Sequence, residues 1–72
     1  MRNLAQLSPG ETGVIADVGG PMRARLLELG FIDGTAVTCT RRAARGGLSA
    51  YLVRGAVIAL RRRDAGGVSI CR

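Results

Sequence analysis

The chain contains no histidine, no lysine and no tryptophan, and each gap removes a class of function. Without histidine, the commonest general base and the commonest metal ligand are both missing, which excludes a hydrolytic triad. The five carboxylates, Glu11, Asp17, Glu28, Asp33 and Asp64, are scattered and form no DxD or ExxE pair. Neither a hard-cation site nor an acid/base dyad can be assembled from such spacing, and each carboxylate reads as a solvated or capping group. Phe31 and Tyr51 are the only aromatics, so the core must be built from Leu, Val, Ile and Ala. No apolar run approaches the ~20 residues that span a bilayer, and no apolar segment follows the first residues as an export signal requires. A cytoplasmic location with reduced thiols at Cys39 and Cys71 is the expectation. The two cysteines form no CxxC. Cys39 is expected in the core and Cys71 as an outward thiol, so no metal site and no cofactor are expected.

What is present bounds the fold. At 72 residues the chain makes one domain, residues 1–72. A domain of this size buries only ~60% of the surface its unfolded chain exposes, which leaves no room for both a core and a deep cleft. Eleven arginines against five acids give a net charge of +6. Such a body attracts acidic partners, whether nucleic acid, an anionic membrane or an acidic protein face. An arginine bias this complete is also what a GC-rich coding sequence produces, so the count by itself assigns no role to the guanidinium.

Strand and turn signals alternate along the chain. Leu4 and Leu7 precede the turn Ser8-Pro9-Gly10. Thr12 to Val18 then reads as a strand with Val14, Ala16 and Val18 on one face and Ile15 on the other. After Gly19-Gly20, Pro21 suits a first helical position, and the spacing of Met22, Leu26 and Leu29, widened by Leu27, predicts an amphipathic helix from Pro21 to about Leu29. Gly30 stands where a left-handed helix ending is expected, with Phe31 folding back on Leu26. Asp33-Gly34 is a turn, Thr35 to Thr40 a strand with Val37 and Cys39 on one face, and Arg41 to Gly47 a basic loop reversed at Gly46-Gly47. Leu48 to Val53 and Ala56 to Arg61 follow, either as two strands or as one strand bent by a bulge at Gly55. Ile58 and Leu60 point one way, Val57 and Ala59 the other. A tight turn over Arg62 to Gly67 leads to a last strand, Val68 to Cys71, with Val68 and Ile70 inward. About five short strands with glycine turns and one inserted helix predict a small SH3-like half-open barrel with the helix over one end.

The loop bases Arg41, Arg42 and Arg45 and the run Arg61-Arg62-Arg63 are the candidate contact surface. Any one of them alone reads as a solvated strand end. As a set, two segments meeting at one end of a barrel would concentrate positive potential there. Tyr51 is the aromatic expected at the surface beside them. A single aromatic makes a poor base-stacking platform, which argues against single-strand nucleic acid.

The block Arg25-Leu26-Leu27-Glu28-Leu29-Gly30-Phe31, followed by Asp33-Gly34-Thr35 and Val37, resembles the signature of FeoA domains, small proteins of bacterial ferrous-iron uptake. Val53-Arg54-Gly55, Ile58-Ala59-Leu60-Arg61, Ala65 and Val68-Ser69-Ile70 resemble the family's ending, and Leu4, Leu7, Gly10 and Val14-Ile15 its opening. Arg25, Leu26, Leu29, Gly30, Gly34, Gly55 and Leu60 carry the structural part of the pattern. Asp33 stands where the family usually has proline. The same SH3-like module resembles the C-terminal domain of DtxR-type metal-dependent repressors. A start at Met1 with no helix-turn-helix favours the free-standing protein. The resemblance implies a non-catalytic accessory that binds FeoB, the membrane Fe(II) transporter, at its cytoplasmic GTP-binding domain, here through Arg41, Arg42, Arg45, Tyr51 and Arg61 to Arg63. The alternatives are a nucleic-acid-binding SH3-like barrel or a stand-alone relative of the repressor module. Weak self-association through an unpaired barrel edge is a further reading.

Overall fold

A computed structural model describes residues 2–44 and 47–71. Arg45 and Gly46, the centre of the expected basic loop and of its reversal, lie outside the described residues. Six strands, β1 (Arg2–Asn3), β2 (Thr12–Val18), β3 (Ala36–Arg41), β4 (Leu48–Val53), β5 (Ala56–Arg61) and β6 (Val68–Cys71), form one antiparallel sheet in the order β1-β6-β2-β3-β4-β5. Two helices interrupt it, α1 (Arg23–Glu28) and the single turn α2 (Arg62–Ala65), with a 3-10 turn at Leu4–Gln6 after β1. The mainly β barrel with one inserted α1 matches the expected class. The sixth strand is the two-residue β1, too short to carry a period of its own.

The sheet curls around a core of Leu4, Leu7, Ile15, Val18, Leu26, Phe31, Val37, Cys39, Tyr51, Val53, Leu60, Ala65, Val68 and Ile70. In β3, β5 and β6 the inward residues are those that alternation predicts. In β2 they are not. Ile15 pairs with Ile70 but Asp17 with Ser69, a bulge that inserts one residue. Because the extra residue shifts the phase of the pleat, Gly13, Ile15 and Val18 face the core while Val14 and Ala16 are only half-buried. The expected inward set Val14, Ala16 and Val18 is corrected to that extent.

The helix is shorter than Pro21 to Leu29. Gly20 has φ +88° and its carbonyl accepts from the Arg23 N–H at 3.2 Å, so Pro21 and Met22 form a turn that leads into α1. The ending is as expected. Leu29 is the last capped position, and Gly30 follows at φ +105°. The Gly30 N–H donates to the Leu27 carbonyl (3.1 Å) and the Phe31 N–H to the Leu26 carbonyl (2.9 Å), the paired bonds of a Schellman ending. Leu26 and Phe31 are both buried beneath it, and Leu29 is packed against the core. Arg25 lies outside, 3.5 Å from Glu28.

Arg54 and Gly55 connect two separate strands, not one bent strand. Val53 pairs with Ala56, and φ is +50° at Arg54 and +82° at Gly55, the two left-handed positions of a type I′ hairpin turn. The region expected as a plain turn after Arg61 contains α2, closed by the Gly66 N–H on the Arg62 carbonyl at 2.8 Å. Gly34 has φ +88° in the turn before β3, where its N–H donates to the Ile15 carbonyl at 2.7 Å and ties that turn to β2.

Candidate functional site

Strand β4 divides its residues cleanly. Ser49, Tyr51 and Val53 are buried, while Leu48 and Leu52 are exposed and Ala50 is half-buried. Register then places the outward residues in rows across three strands. Leu52 lies between Thr38 and Val57, Ala50 between Arg41 and Ala59, and Leu48 beside Arg61. Leu48, Leu52 and Val57 are 51%, 40% and 62% exposed, which makes a continuous apolar strip on the outside of the sheet. A second bulge sets its border. The register of β3 shifts between Cys39, which pairs with Tyr51, and Arg41, which pairs with Ala50. Cys39 therefore faces the core and Arg41, two residues on, faces solvent. The outer face is an apolar ladder with Arg41 and Arg61 at one end.

The residues next to those two arginines turn the other way. Arg42 and Arg62 both line a small cavity of about 50 Å³ with Ala5, Ala43, Gly47, Ser49 and Tyr51. Arg62 and Arg63 also border a shallow groove with Asn3, Ala5, Gln6 and Gly66. The two basic segments thus meet at one end of the barrel, as the sequence suggested they could. Among the described residues the ion pairs are Arg2–Glu11 and Arg25–Glu28, and Arg41, Arg42, Arg61, Arg62 and Arg63 take part in neither.

Tyr51 is not a surface aromatic. It is 2% exposed, with its ring in the core and one side against the small cavity, because it alternates with Ser49 and Val53 on the inner face of β4. Burial raises the pKa of its phenol above the ordinary tyrosine value, with the Ser49 hydroxyl and the Arg42 charge acting in the opposite direction. Phe31 is also fully buried, so neither aromatic of the chain presents a ring for stacking.

The apolar strip is the feature that the sequence reading missed. Its signal was present in the alternation that sets Val57 opposite Ile58 and Leu60 and in the apolar residues on both faces of Leu48 to Val53. Periodicity cannot rank two apolar faces of the same strand.

Glu11 is held by Arg2 through contacts of 2.5 and 2.9 Å and accepts from the Ser8 N–H at 3.0 Å. Those bonds, the Arg2 guanidinium first, lower its pKa to about 2. Cys39 is buried and burial raises its pKa, whereas Cys71 is exposed with its Sγ 3.7 Å from the Val14 carbonyl oxygen. Among the described residues no group of three or more His, Cys, Asp and Glu could hold a metal ion. No helix among them is long and apolar enough to cross a membrane.

Solved structures share this architecture. FeoA from Chlorobium tepidum superposes with a TM-score of 0.86 at 27% identity, over 96% of this chain and 68% of that one. FeoA from Stenotrophomonas maltophilia, solved with zinc, superposes at 0.88 and 25% identity over 99% of this chain and 91% of that one. That protein is described as a procaryotic SH3-domain protein and a candidate activating factor of bacterial ferrous iron transport. A manganese-dependent transcriptional repressor shares the fold at TM-score 0.85 and 18% identity, with 96% of this chain covering 40% of the repressor. No curated protein matches the chain by sequence. The model of the FeoA domain family matches residues 2–71, essentially the whole of the described chain. The chain belongs to the FeoA family.

Proposed function

We propose that this protein is a non-catalytic cytoplasmic accessory of Fe(II) uptake that docks on the GTP-binding domain of an FeoB-type transporter and biases its assembly or nucleotide cycle. One observation supports this above the others. The Leu48, Leu52 and Val57 strip shares a face with Arg41 and Arg61, and an exposed apolar strip edged by charge is the anatomy of a protein-binding patch. The apolar rows supply the area to be buried, and the arginines select an acidic partner and fix its register. Arg42, Arg62 and Arg63 extend the same positive end. Tyr51, being buried, acts as a support for β4 and makes no contact of its own.

The test is titration of the protein against the purified cytoplasmic domain of its cognate transporter, with a random DNA duplex as control, across a salt series. Saturable binding to the transporter domain is expected. Leu52→Glu and Val57→Glu should each weaken it at least tenfold, and Arg41→Glu with Arg61→Glu should weaken it and flatten its salt dependence. All four positions are exposed, so these variants should fold. Unchanged affinity in the leucine and valine variants would overturn the docking face. Binding to DNA with a steep salt slope and no transporter signal would instead favour the nucleic-acid reading.

A further inference from the structure

The cavity behind the docking face has a composition of its own. Arg42 enters it from the segment after β3 and Arg62 from the first residue of α2, so two cations separated by twenty residues border a space of about 50 Å³. Among the described residues no carboxylate lines it. Two arginines bordering one small space give it a positive potential that favours an anion.

The remaining polar walls are hydrogen-bond donors. Ser49 is nine-tenths buried, and its Oγ already accepts from the Ala43 N–H at 3.0 Å, which leaves its hydroxyl proton to be given elsewhere. That proton goes to the Tyr51 phenol oxygen, and the phenol's own proton is left to donate into the space. Arg42 and Tyr51 both line this small space. Two arginines and a hydroxyl donor around a space for a few atoms suit a group with several acceptor oxygens and close to two negative charges. A carboxylate carries one charge and two oxygens, whereas a phosphoryl group at neutral pH carries about −1.5 to −2 and three acceptor oxygens.

We propose that the notch between Arg42, Ser49, Tyr51 and Arg62 is a binding site for a single phosphoryl group. The shared chemistry admits two sources, free inorganic phosphate and the terminal phosphate of a monoester. The site shares Arg42 and Arg62 with the positive end of the docking surface but none of its apolar strip, so phosphate binding stands or falls separately from transporter binding at Leu52 and Val57.

Isotope-labelled protein titrated with inorganic phosphate, phenyl phosphate and acetate at constant ionic strength would test this by amide chemical shifts. Phosphate is expected to move the Ala43, Gly47 and Ser49 amides saturably, with acetate at least tenfold weaker. Arg42→Gln and Arg62→Gln should each weaken phosphate at least tenfold. Arg54→Gln, which removes the same charge at the far end of the β4–β5 hairpin, should leave it unchanged. Tyr51→Phe and Ser49→Ala should weaken it less. If phenyl phosphate binds as well as phosphate, the site takes the tail of a larger ligand; if only phosphate binds, it takes the free ion. Shifts that stay linear, an equal response to acetate, or an equal loss in Arg54→Gln would overturn the proposal.

Discussion

Replacing Gly30 by alanine tests the helix ending on which the α1-to-β3 connection depends. Gly30 has φ +105°, well beyond the left-handed well that L-residues occupy near +57°. Occupying even that well costs a residue with a Cβ about 1–2 kcal/mol. Restricting the unfolded chain returns about 0.4–1 kcal/mol of this. A Cβ built at Gly30 would also meet the Arg54 Cδ at 3.0 Å, but that atom belongs to a flexible exposed side chain that can move aside. Net of that return the left-handed well alone would cost up to about 1.6 kcal/mol, and displacement to +105° adds further strain, so the loss should be about 1 kcal/mol or more, almost all of it in the backbone. For a domain this size each kilocalorie lowers Tm by roughly 4–8 °C, so thermal unfolding by circular dichroism should show a clear fall. Gly34→Ala, with φ +88° and nothing within 4 Å of the new Cβ, isolates the strain and should cost a comparable amount. Made in an Arg54→Ala background, Gly30→Ala should keep its penalty to within about 0.5 kcal/mol, as expected of sites that do not couple. A penalty that vanished in that background would show that contact with Arg54, not φ, sets the cost. No loss at all would refute the Schellman account.

The other predictions are independent of it. Glu11 has its pKa lowered to about 2 by Arg2, so its contribution to stability is present above the unfolded carboxylate value near 4.5 and is lost as pH falls from there towards 2. Acid titration of Tm should therefore show a decline through that window, and Glu11→Gln should remove part of it. Arg54 occupies a left-handed position without being glycine. Arg54→Asn, the residue type that favours the first position of a type I′ turn, should stabilise the protein by about 0.5–1 kcal/mol in urea unfolding. A neutral or destabilising result there would mean that the Arg54 side chain makes a compensating contact across Gly30.

Most strand bounds could be read from the chain because glycine turns frame them. Leu48 to Val53, Ala56 to Arg61 and Val68 to Cys71 stand where alternation and the neighbouring Gly47, Gly55 and Gly67 put them. The helix ending at Gly30 was readable for the same reason, since only a left-handed residue continues that geometry. The inward face of β2 was not readable. A bulge leaves no composition mark, and one inserted residue at Ala16 exchanges Val14 for Gly13 and keeps Val18 inward. The two-residue β1 exists only through its pairing with β6, which no local pattern encodes. The candidate site was half legible. Clustered arginines announced a basic end, but Leu48, Leu52 and Val57 were hidden because the strands that carry them are apolar on both sides. Tyr51 faces inward because it alternates in phase with Val53, and a strand apolar on both sides does not declare that phase locally.

The position of Tyr51 gives the protein a built-in optical probe. The chain has no tryptophan and only this tyrosine, so near-ultraviolet absorbance and intrinsic fluorescence arise chiefly from one ring. That ring sits in the core with one side against the arginine-lined cavity. A single label-free signal therefore follows both the unfolding of the barrel and the filling of the cavity. The two can be separated because the first is cooperative in denaturant and the second saturates with ligand at constant fold.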